Sequence, residues 1–468
     1  MYDRIQDTIV AVSSPPGASA RGILRLSGSR AVELAGGLFR PHEGPPLSAA
    51  PGHTRLFGEL SIEAGATLPA EAYVFRGPAS YTRQDIVELH TVGSPAILAV
   101  LSDRLVAAGA RPAEPGEFTA RAFLAGAMDL TRVEGVAAVI HAHSDAQLRA
   151  ARSLLEGRLG RIAAGFRERL SELSAALEAA IDFADEPVDA PLGRDAAAVL
   201  EGVERDLRQL LGEAIDAERL DARPRVVLTG PPNAGKSSLL NRLTGQDRAI
   251  PSDRAGTTRD VLTAVLALPG GEVVLCDTAG LAEAEAPDDE PARLARQAAL
   301  ACAASADLVV RVADISERPL EALAAMGPTP GGARVLILLN KSDRMPCGAE
   351  RDALCARAGG ALAVSARTGE GLDRLRARLD AVLFREGAEG DARDGLALYA
   401  RHRRALADAT DAVCRAREAI GPDRTEIRDV ELVALEVREA LRSLSLLLGE
   451  VTTEDILGRI FARFCIGK

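Results

Sequence analysis

A glycine, four residues, a second glycine, then a lysine and a serine: the stretch "GPPNAGKS", from Gly230 to Ser237, has the residue types that hold a phosphate chain. Glycines let backbone N–H groups turn inward on phosphate oxygens, at the positive end of the helix that follows. In this pattern Lys236 reaches the β- and γ-phosphates and the Ser237 hydroxyl ligates Mg²⁺, with Asn233, Ala234, Gly235 and Ser238 completing the cradle. Three further pieces follow in order. "CDTAG" supplies Asp277, Thr278, Ala279 and Gly280, the carboxylate to organise Mg²⁺ through water and the Gly280 amide to face the γ-phosphate. "LNKSD" supplies Asn340, Lys341, Ser342 and Asp343. A carboxylate there can accept from both the ring N–H and the exocyclic amine of guanine, a pair that adenine does not offer. "SAR" (Ser365, Ala366, Arg367) backs the base. Each piece alone could be a surface turn; four in order at the ends of apolar strands read as a GTP-binding domain.

The residue after Gly280 is Leu281, where Ras-type GTPases carry a glutamine that orients the attacking water. Charge on the transferring phosphoryl group must then be met by a finger residue or an additional cation, for which Asn233 inside the loop is a candidate ligand. The switch segment is "SDRAGTTRD", with Thr258 as the Mg²⁺-sensing threonine.

These residues need strand ends to hold them, and the chain has three textures that supply different elements. Up to about residue 125, short apolar runs punctuated by Gly and Pro predict strands and turns with some helix. From about 130 to 215 the pattern is helical, with Leu155, Leu159, Ile162, Phe166, Leu170, Leu173, Leu177 and Ile181 forming one stripe of a long helix, a pattern that is ordinarily plain core. Between 222 and 382 apolar strands alternate with helical stretches, the mark of an α/β domain with a mostly parallel sheet. Helical texture then returns to the end. Helix, α/β unit and helix again predict a domain inserted into a helical one.

Composition bounds the rest. At 468 residues the chain is long enough for two to four domains of ~100–200 residues each. A net charge of -11, 3% aromatics and no Trp argue against gripping nucleic acid by bulk positive charge or by base stacking. No apolar run is long enough to predict a membrane span, and no secretory h-region follows the N-terminus. Six cysteines without CxxC pairing predict reduced thiols in a cytoplasmic protein.

The strings "DTIVAVSSPPG", "GILRLSG", "RPAEPGEFTARAFL", "PNAGKSSLLN", "AGTTRDVL", "SARTGEGLD" and the terminal "LGRIFARFCIGK" give the chain a specific likeness. Over nearly its whole length it resembles the tRNA-modification GTPase MnmE (TrmE) family. The resemblance implies an α+β N-terminal folate-binding and dimerisation domain (1–125), an all-α helical domain in two parts (126–221 and 383–468), and an inserted α/β P-loop GTPase domain (222–382). It implies a cytoplasmic homodimer whose GTP hydrolysis is stimulated by K⁺. With an FAD-containing MnmG-like subunit, in a heterotetramer, the family adds a carboxymethylaminomethyl-type group at C5 of the wobble uridine of certain tRNAs. A tetrahydrofolate derivative (5-formyl- or 5,10-methylene-tetrahydrofolate) is its one-carbon cofactor.

Carried over by motif, Asn233 would be the K⁺ side-chain ligand, and Ser252 and Arg254, through backbone carbonyls, and Thr257 would complete the loop around the ion, while Asp253, Ala255 and Gly256 fall at nucleotide-binding positions of the same segment. Arg25 of "GILRLSG" and Glu88 of "DIVELH" fall at folate-binding positions, Lys468 at a further folate contact, and Cys465 at the family's tail cysteine, implicated in modification. Without the likeness, Arg25 and Glu88 read as an ordinary structural pair and Cys465 as a small apolar residue ending a helix. Two positions depart from the family: Ala127 replaces a lysine, and Ala292 stands where a glutamate is expected, with Asp288, Asp289 or Glu290 as stand-ins and Glu290 the favoured one. The rival reading is a GTP-dependent binding switch without modification chemistry, such as a ribosome-assembly GTPase. Folate binding would favour the first reading and ribosome co-sedimentation the second.

Overall fold

The computed structural model describes residues 6–63, 65–182, 192–245, 250–251, 262–277, 302, 306–327, 333–386, 396–420, 427, 429–451, 454–462 and 464–467. The chain forms two compact units, Met1–His141 with Ala150–Ile215 and Leu396–Lys468, and Ala142–Arg149 with Asp216–Gly395. The predicted fold class holds: a mixed N-terminal region, a helical region and a P-loop α/β region.

In the N-terminal part of the first unit, alternating apolar residues make the strands β1 (Ile9–Val12), β2 (Ser19–Ser27), β3 (Phe39–Pro41), β4 (Thr54–Glu63), β5 (Ala66–Phe75), β6 (Ile86–Gly93) and β7 (Arg111–Pro112). They form one sheet in the order β3-β4-β5-β6-β2-β1-β7. Leu24 and Leu26 on β2 and Val87 and Leu89 on β6 face helices α1 (Ala31–Leu38) and α2 (Pro95–Ala107), which bury Leu34 and Leu101 against them. The opposite residues of β2 and β6 are then free to carry polar groups, and the antiparallel register sets Arg25 directly across from Glu88.

Two short helices follow, α3 (Glu117–Leu124) and α4 (Leu130–His141), and then α5 (Arg158–Asp182) and α6 (Leu192–Glu213). The predicted stripe is buried along α5 at Leu159, Phe166, Leu170, Leu173 and Leu177. Leu155, however, ends a separate helix, Asp145–Leu155, because Gly157 takes a left-handed φ of 74° and breaks the run. Against α5 and α6 pack two helices from the far end of the chain, Ala400–Ile420 and Val430–Leu448, into one core. Glu134 of α4 is fixed to it by Arg401 (2.8 Å) and His402 (2.5 Å). Burial alone would raise this carboxyl, but His402 and Arg401 outweigh it and hold it down at about 2. The last helix, Glu454–Phe461, buries Leu457 and Phe461 beside Ala120, Leu130 and Val133. Burying a Phe or Leu side chain of this kind contributes about 1.5–3 kcal/mol.

The second unit contains β8 (Arg225–Thr229), β9 (Ile250–Pro251), β10 (Leu262–Leu268), β11 (Gly271–Asp277), β12 (Leu308–Asp314), β13 (Arg334–Asn340) and β14 (Leu362–Ala363). Their order is β9-β10-β11-β8-β12-β13-β14. From β11 to β14 the pairs are parallel; the β10–β11 hairpin is antiparallel. β8 is apolar through its centre, and β12 is buried on both sides of its central Arg311, as expected for strands covered on both faces. Segment 142–149 belongs with this unit: the His143 carbonyl accepts from the Glu272 N–H at 2.9 Å.

Candidate functional site

The carboxyl ends of β8, β11, β12 and β13 meet at one edge of the second unit's sheet, where ligands bind in open α/β folds. β8 leads through the glycine loop into helix α7 (Lys236–Thr244). The loop is a cradle that side chains would fill. A Cβ at Gly230 would lie 2.1 Å from the Val312 carbonyl oxygen, and one at Gly235, where φ is 85°, would lie 2.4 Å from Asn340 Nδ2. Asn233 takes a φ of 61°, a conformation that Asn tolerates better than most residues.

The buried Lys236 folds over this loop, its Nζ donating to the Gly230 and Pro231 carbonyls at 2.9 Å each. Ser237 Oγ donates to Asp277 Oδ2 at 2.5 Å, so the two oxygens expected around Mg²⁺ are together. An all-oxygen pair of this kind suits a hard divalent cation. Among the described residues no cluster of three or more His, Cys, Asp or Glu could hold a metal. Mg²⁺ ordinarily takes much of its coordination from phosphate and water.

Asn340 ends β13 and lines the cleft at this edge of the sheet. It is buried and ties two loops together, Nδ2 donating to the Ala234 carbonyl at 2.8 Å and Oδ1 accepting from the Ala366 N–H at 3.1 Å. Asp343 accepts from Ser365 Oγ at 2.5 Å and pairs with Arg367 at 2.7 Å. Those two contacts, Ser365 first, hold its carboxyl below the usual range. Ser342, by contrast, turns away to Glu370 at 2.9 Å. A cleft of about 350 Å³ runs between Gly235 and Ser238 on one side and Asp343, Ala366 and Arg367 on the other.

Asp314 is a member that sequence reasoning missed. It ends β12 opposite Asn340 in the parallel register, and its carboxylate holds Lys341 Nζ at 2.7 Å. Burial would raise this carboxyl; Lys341 and Ser316 outweigh it and keep it low. With Lys341 at a left-handed φ of 62°, the pair fixes the turn that presents Asp343. The available signal was the acidic end of "LVVRVAD", a strand parallel to "VLILLN".

The first unit holds the second polar group. Arg25 Nε donates to Glu88 Oε1 at 2.8 Å, and His90 Nε2 lies 3.0 Å from Glu88 Oε2. Burial would raise the Glu88 carboxyl, but the hydrogen bond with His90 and the Arg25 charge keep it below its ordinary value. Arg25 Nη1 also donates to the carbonyl of Gly467 at 3.0 Å, and Ser13 Oγ donates to the same oxygen at 3.1 Å. The tail of this chain thus lies beside its own Arg25–Glu88 pair. Gly467 has a φ of 96°, and a Cβ there would lie 2.5 Å from the Val12 carbonyl oxygen. Upstream, Phe461 and Phe464 are buried while Cys465 stays exposed, its carbonyl 3.5 Å from the Gly116 N–H. The Ala127 N–H closes the end of α3 on the Ala122 carbonyl at 2.8 Å, a role for backbone alone.

Ser252, Asp253, Arg254, Ala255, Gly256, Thr257, Thr258, Thr278, Ala279, Gly280, Leu281, Asp288, Asp289, Glu290, Ala292 and Lys468 lie outside the described residues.

Two family models match the chain. One, described as the MnmE helical domain, covers residues 130–465; the other, described as the GTP-binding protein TrmE N-terminus, covers residues 8–127. The tRNA modification GTPase MnmE of Halorhodospira halophila is 40% identical over 100% of this chain and 97% of its own length. The protein of the same name from Thermus thermophilus is 39% identical over 99% of this chain and 100% of its own. Among solved structures, the G domain of the T. maritima FeoB iron transporter is similar over 34% of this chain and 99% of its own, at 28% identity and a TM-score of 0.28.

Proposed function

The chain belongs to the MnmE family of tRNA modification GTPases, and from that membership we propose that it couples GTP hydrolysis to modification of tRNA at C5 of the wobble uridine. It is a GTPase. The observation that carries the reading is the single edge of the second unit's sheet at which the Ser237–Asp277 oxygen pair, the Lys236 loop and the Asp343 carboxylate converge.

In this reading the Asp343 carboxylate accepts both donors of guanine. Asn340, bonded to Ala234 and Ala366, keeps the phosphate loop and the base loop in register. Lys236 exchanges loop carbonyls for phosphate oxygens. Ser237, with Asp277 acting through water, would hold Mg²⁺, which when bound would neutralise charge on the β- and γ-phosphates. Leu281 cannot orient water, so Asn233 would serve as K⁺ side-chain ligand, Ser252, Arg254 and Thr257 would supply the remaining ligands, and Glu290 would stand in for the family's glutamate.

The Arg25–Glu88 pair is the proposed folate site. An ionised carboxylate matches the amino and ring N–H donors of a pteridine, and the depressed Glu88 carboxyl supplies one at neutral pH. Lys468 and Cys465 would reach it from the tail, which Gly467 seats against Arg25. The protein acts as a cytoplasmic homodimer with an FAD-containing MnmG-like subunit. That subunit carries much of the tRNA contact, in keeping with the net charge of -11. No helix among the described residues is long and apolar enough to cross a membrane.

The test is nucleoside analysis of tRNA from a strain lacking this protein. Loss of the C5-modified wobble uridine, restored by the intact chain and not by Asp343→Asn, is the expected result. Unchanged nucleosides in the deletion strain would overturn the assignment.

A further inference from the structure

After Lys341 the chain turns so that two neighbouring side chains leave in different directions. Asp343 goes to Ser365 and Arg367 at the cleft, whereas the buried Ser342 donates from Oγ to Glu370 Oε2 at 2.9 Å. The Ser342 backbone is tied as well, its N–H donating to the Val364 carbonyl at 3.0 Å. The other carboxylate oxygen of Glu370 accepts from Arg351 Nη2 at 2.9 Å. Arg351 belongs to the helix Ala349–Arg357, and its side chain is only 9% exposed, so this anchor is itself fixed by packing.

Glu370 also closes the loop that backs the base. Its backbone carbonyl accepts from the Ser365 N–H at 2.9 Å, and within the same loop the Thr368 N–H donates to Ser365 Oγ at 3.1 Å. That hydroxyl is the one that donates to Asp343 Oδ1. The next residue, Gly371, has a φ of 77°, and a Cβ there would lie 2.4 Å from the Ala363 carbonyl oxygen, so the turn that aims Glu370 is sharply defined. One glutamate thus joins the base loop, its backing loop and a helix. Asp343, Ala366 and Arg367 line the cleft, and Glu370 reaches Asp343 through Ser342 on one side and Ser365 on the other.

We propose that Glu370 is a positioning residue for guanine recognition, holding the Asp343 carboxylate at the angle from which it meets both donors of the base. The inference rests on the reading that Asp343 accepts the ring N–H and the exocyclic amine of guanine. A carboxylate that accepts two parallel bonds must lie close to the plane of the base, whereas one that accepts a single bond tolerates rotation. Without Glu370, Ser342 loses its side-chain tether and the Ser365 loop loses its link to Arg351. A carboxylate released in this way keeps one bond and gives up the second. Guanine should therefore suffer more than hypoxanthine, which keeps the ring N–H and lacks the amine.

The experiment is calorimetric titration of the full-length protein with GDP and with inosine diphosphate, neither of which is consumed by hydrolysis. The unaltered protein should prefer GDP by about tenfold or more. In Glu370→Ala the GDP affinity is expected to fall roughly tenfold and the inosine diphosphate affinity less than about threefold, so that most of the preference disappears. For GTP hydrolysis the change should fall on KM and leave kcat unaltered, because the Lys236 loop and the Ser237–Asp277 pair are untouched. Glu370→Gln, whose side-chain carbonyl still accepts from Ser342, should recover most of the preference.

A protein that is merely destabilised loses binding sites equally for both nucleotides and keeps their ratio. An unchanged ratio in Glu370→Ala therefore overturns the inference. Should that variant fold poorly, Ser342→Ala deletes the donor of the same bond and must lower the preference in the same direction; an unchanged ratio there is equally fatal. Asp343→Asn separates this inference from the reading beneath it. If Asp343→Asn gains xanthosine diphosphate while Glu370→Ala keeps the native ratio, only the positioning role is lost. If Asp343→Asn changes nothing, the reading falls and the inference with it.

Discussion

The nucleotide cleft and the Arg25–Glu88 cluster are both polar groups carried by a sheet, and they are assembled in different ways. In the cleft each working part is a contiguous string in which backbone does much of the holding: glycines at Gly230 and Gly235, a lysine bonded within its own loop, a serine and an aspartate meeting at 2.5 Å. In the cluster the partners come from separate stretches of the chain. Arg25 meets Glu88 through strand register, and the Gly467 carbonyl arrives from 442 positions away. A site built from local loops tolerates change elsewhere and fails sharply when one of its own residues changes. A site built across the chain depends on whatever anchors its most distant member, here Phe461 and Phe464.

The largest effect is expected at Asp343. On the proposed reading Asp343→Asn removes the acceptor matched to both guanine donors, and charge-assisted pairs of this type discriminate strongly. GTP affinity should fall by at least about 10²-fold while xanthosine triphosphate, with the complementary ring acceptor, gains. Titration with the two nucleotides measures it; unchanged GTP affinity would remove guanine recognition from this residue.

Next in size is Asn233, at the left-handed turn of the loop. Asn233→Ala is expected to abolish K⁺ stimulation of hydrolysis, a loss of about 10²–10³-fold in rate, with GTP still bound. The unaltered protein must first hydrolyse GTP faster in K⁺ than in Na⁺. Equal rates in the two salts would end the cation mechanism.

The cluster should show a smaller, more distributed response. Gly467→Ala places a Cβ against the Val12 carbonyl and should release the tail oxygen from Arg25 and Ser13. Losing a charge-assisted hydrogen bond of about 1–3 kcal/mol predicts a roughly 5- to 150-fold weaker tetrahydrofolate affinity, with GTP hydrolysis unaffected. Cys465→Ser should instead leave folate binding intact and remove tRNA modification. If neither variant changes its own assay, the tail is packing alone.

The same contrast explains what could be read in the sequence. "GPPNAGKS", "LNKSD", "SAR" and the Asp277 end of "CDTAG" were legible as loops at strand ends because each is a contiguous string. The strands that carry them were legible from apolar runs such as "RVVLTG" and "VLILLN". Asp314 was not singled out, since its role comes from standing opposite Asn340 in a parallel pair and holding Lys341 across the strand end. His90 was missed for a similar reason: two residues beyond Glu88 on one strand, it shares that residue's face, but nothing in its type says it will contact the carboxylate. The break before α5 was also hidden. Gly157 sits inside an uninterrupted hydrophobic period, and only its positive φ separates Leu155 from the stripe.

The smallest expected effect concerns protonation of Asp343. Its carboxyl is depressed by Ser365 first and Arg367 after it, so the ionised form persists below the ordinary carboxylate range. A depressed carboxyl keeps its contribution above that range and loses it only as pH falls through the lowered value. GTP affinity should therefore be flat from about pH 8 to about pH 5. Ser365→Ala removes the leading cause and moves Asp343 toward the ordinary value of about 3.9, so a decline of less than about twofold should emerge near pH ~4.5. Arg367→Ala should move the same curve less, because its charge lies at the surface and is screened by solvent and salt. Measuring the three curves at low salt and at about 0.5 M salt separates the two partners. The Arg367 contribution should shrink with salt and the Ser365 contribution should not; the reverse order would mean that charge, and not the hydroxyl, tunes the Asp343 carboxyl.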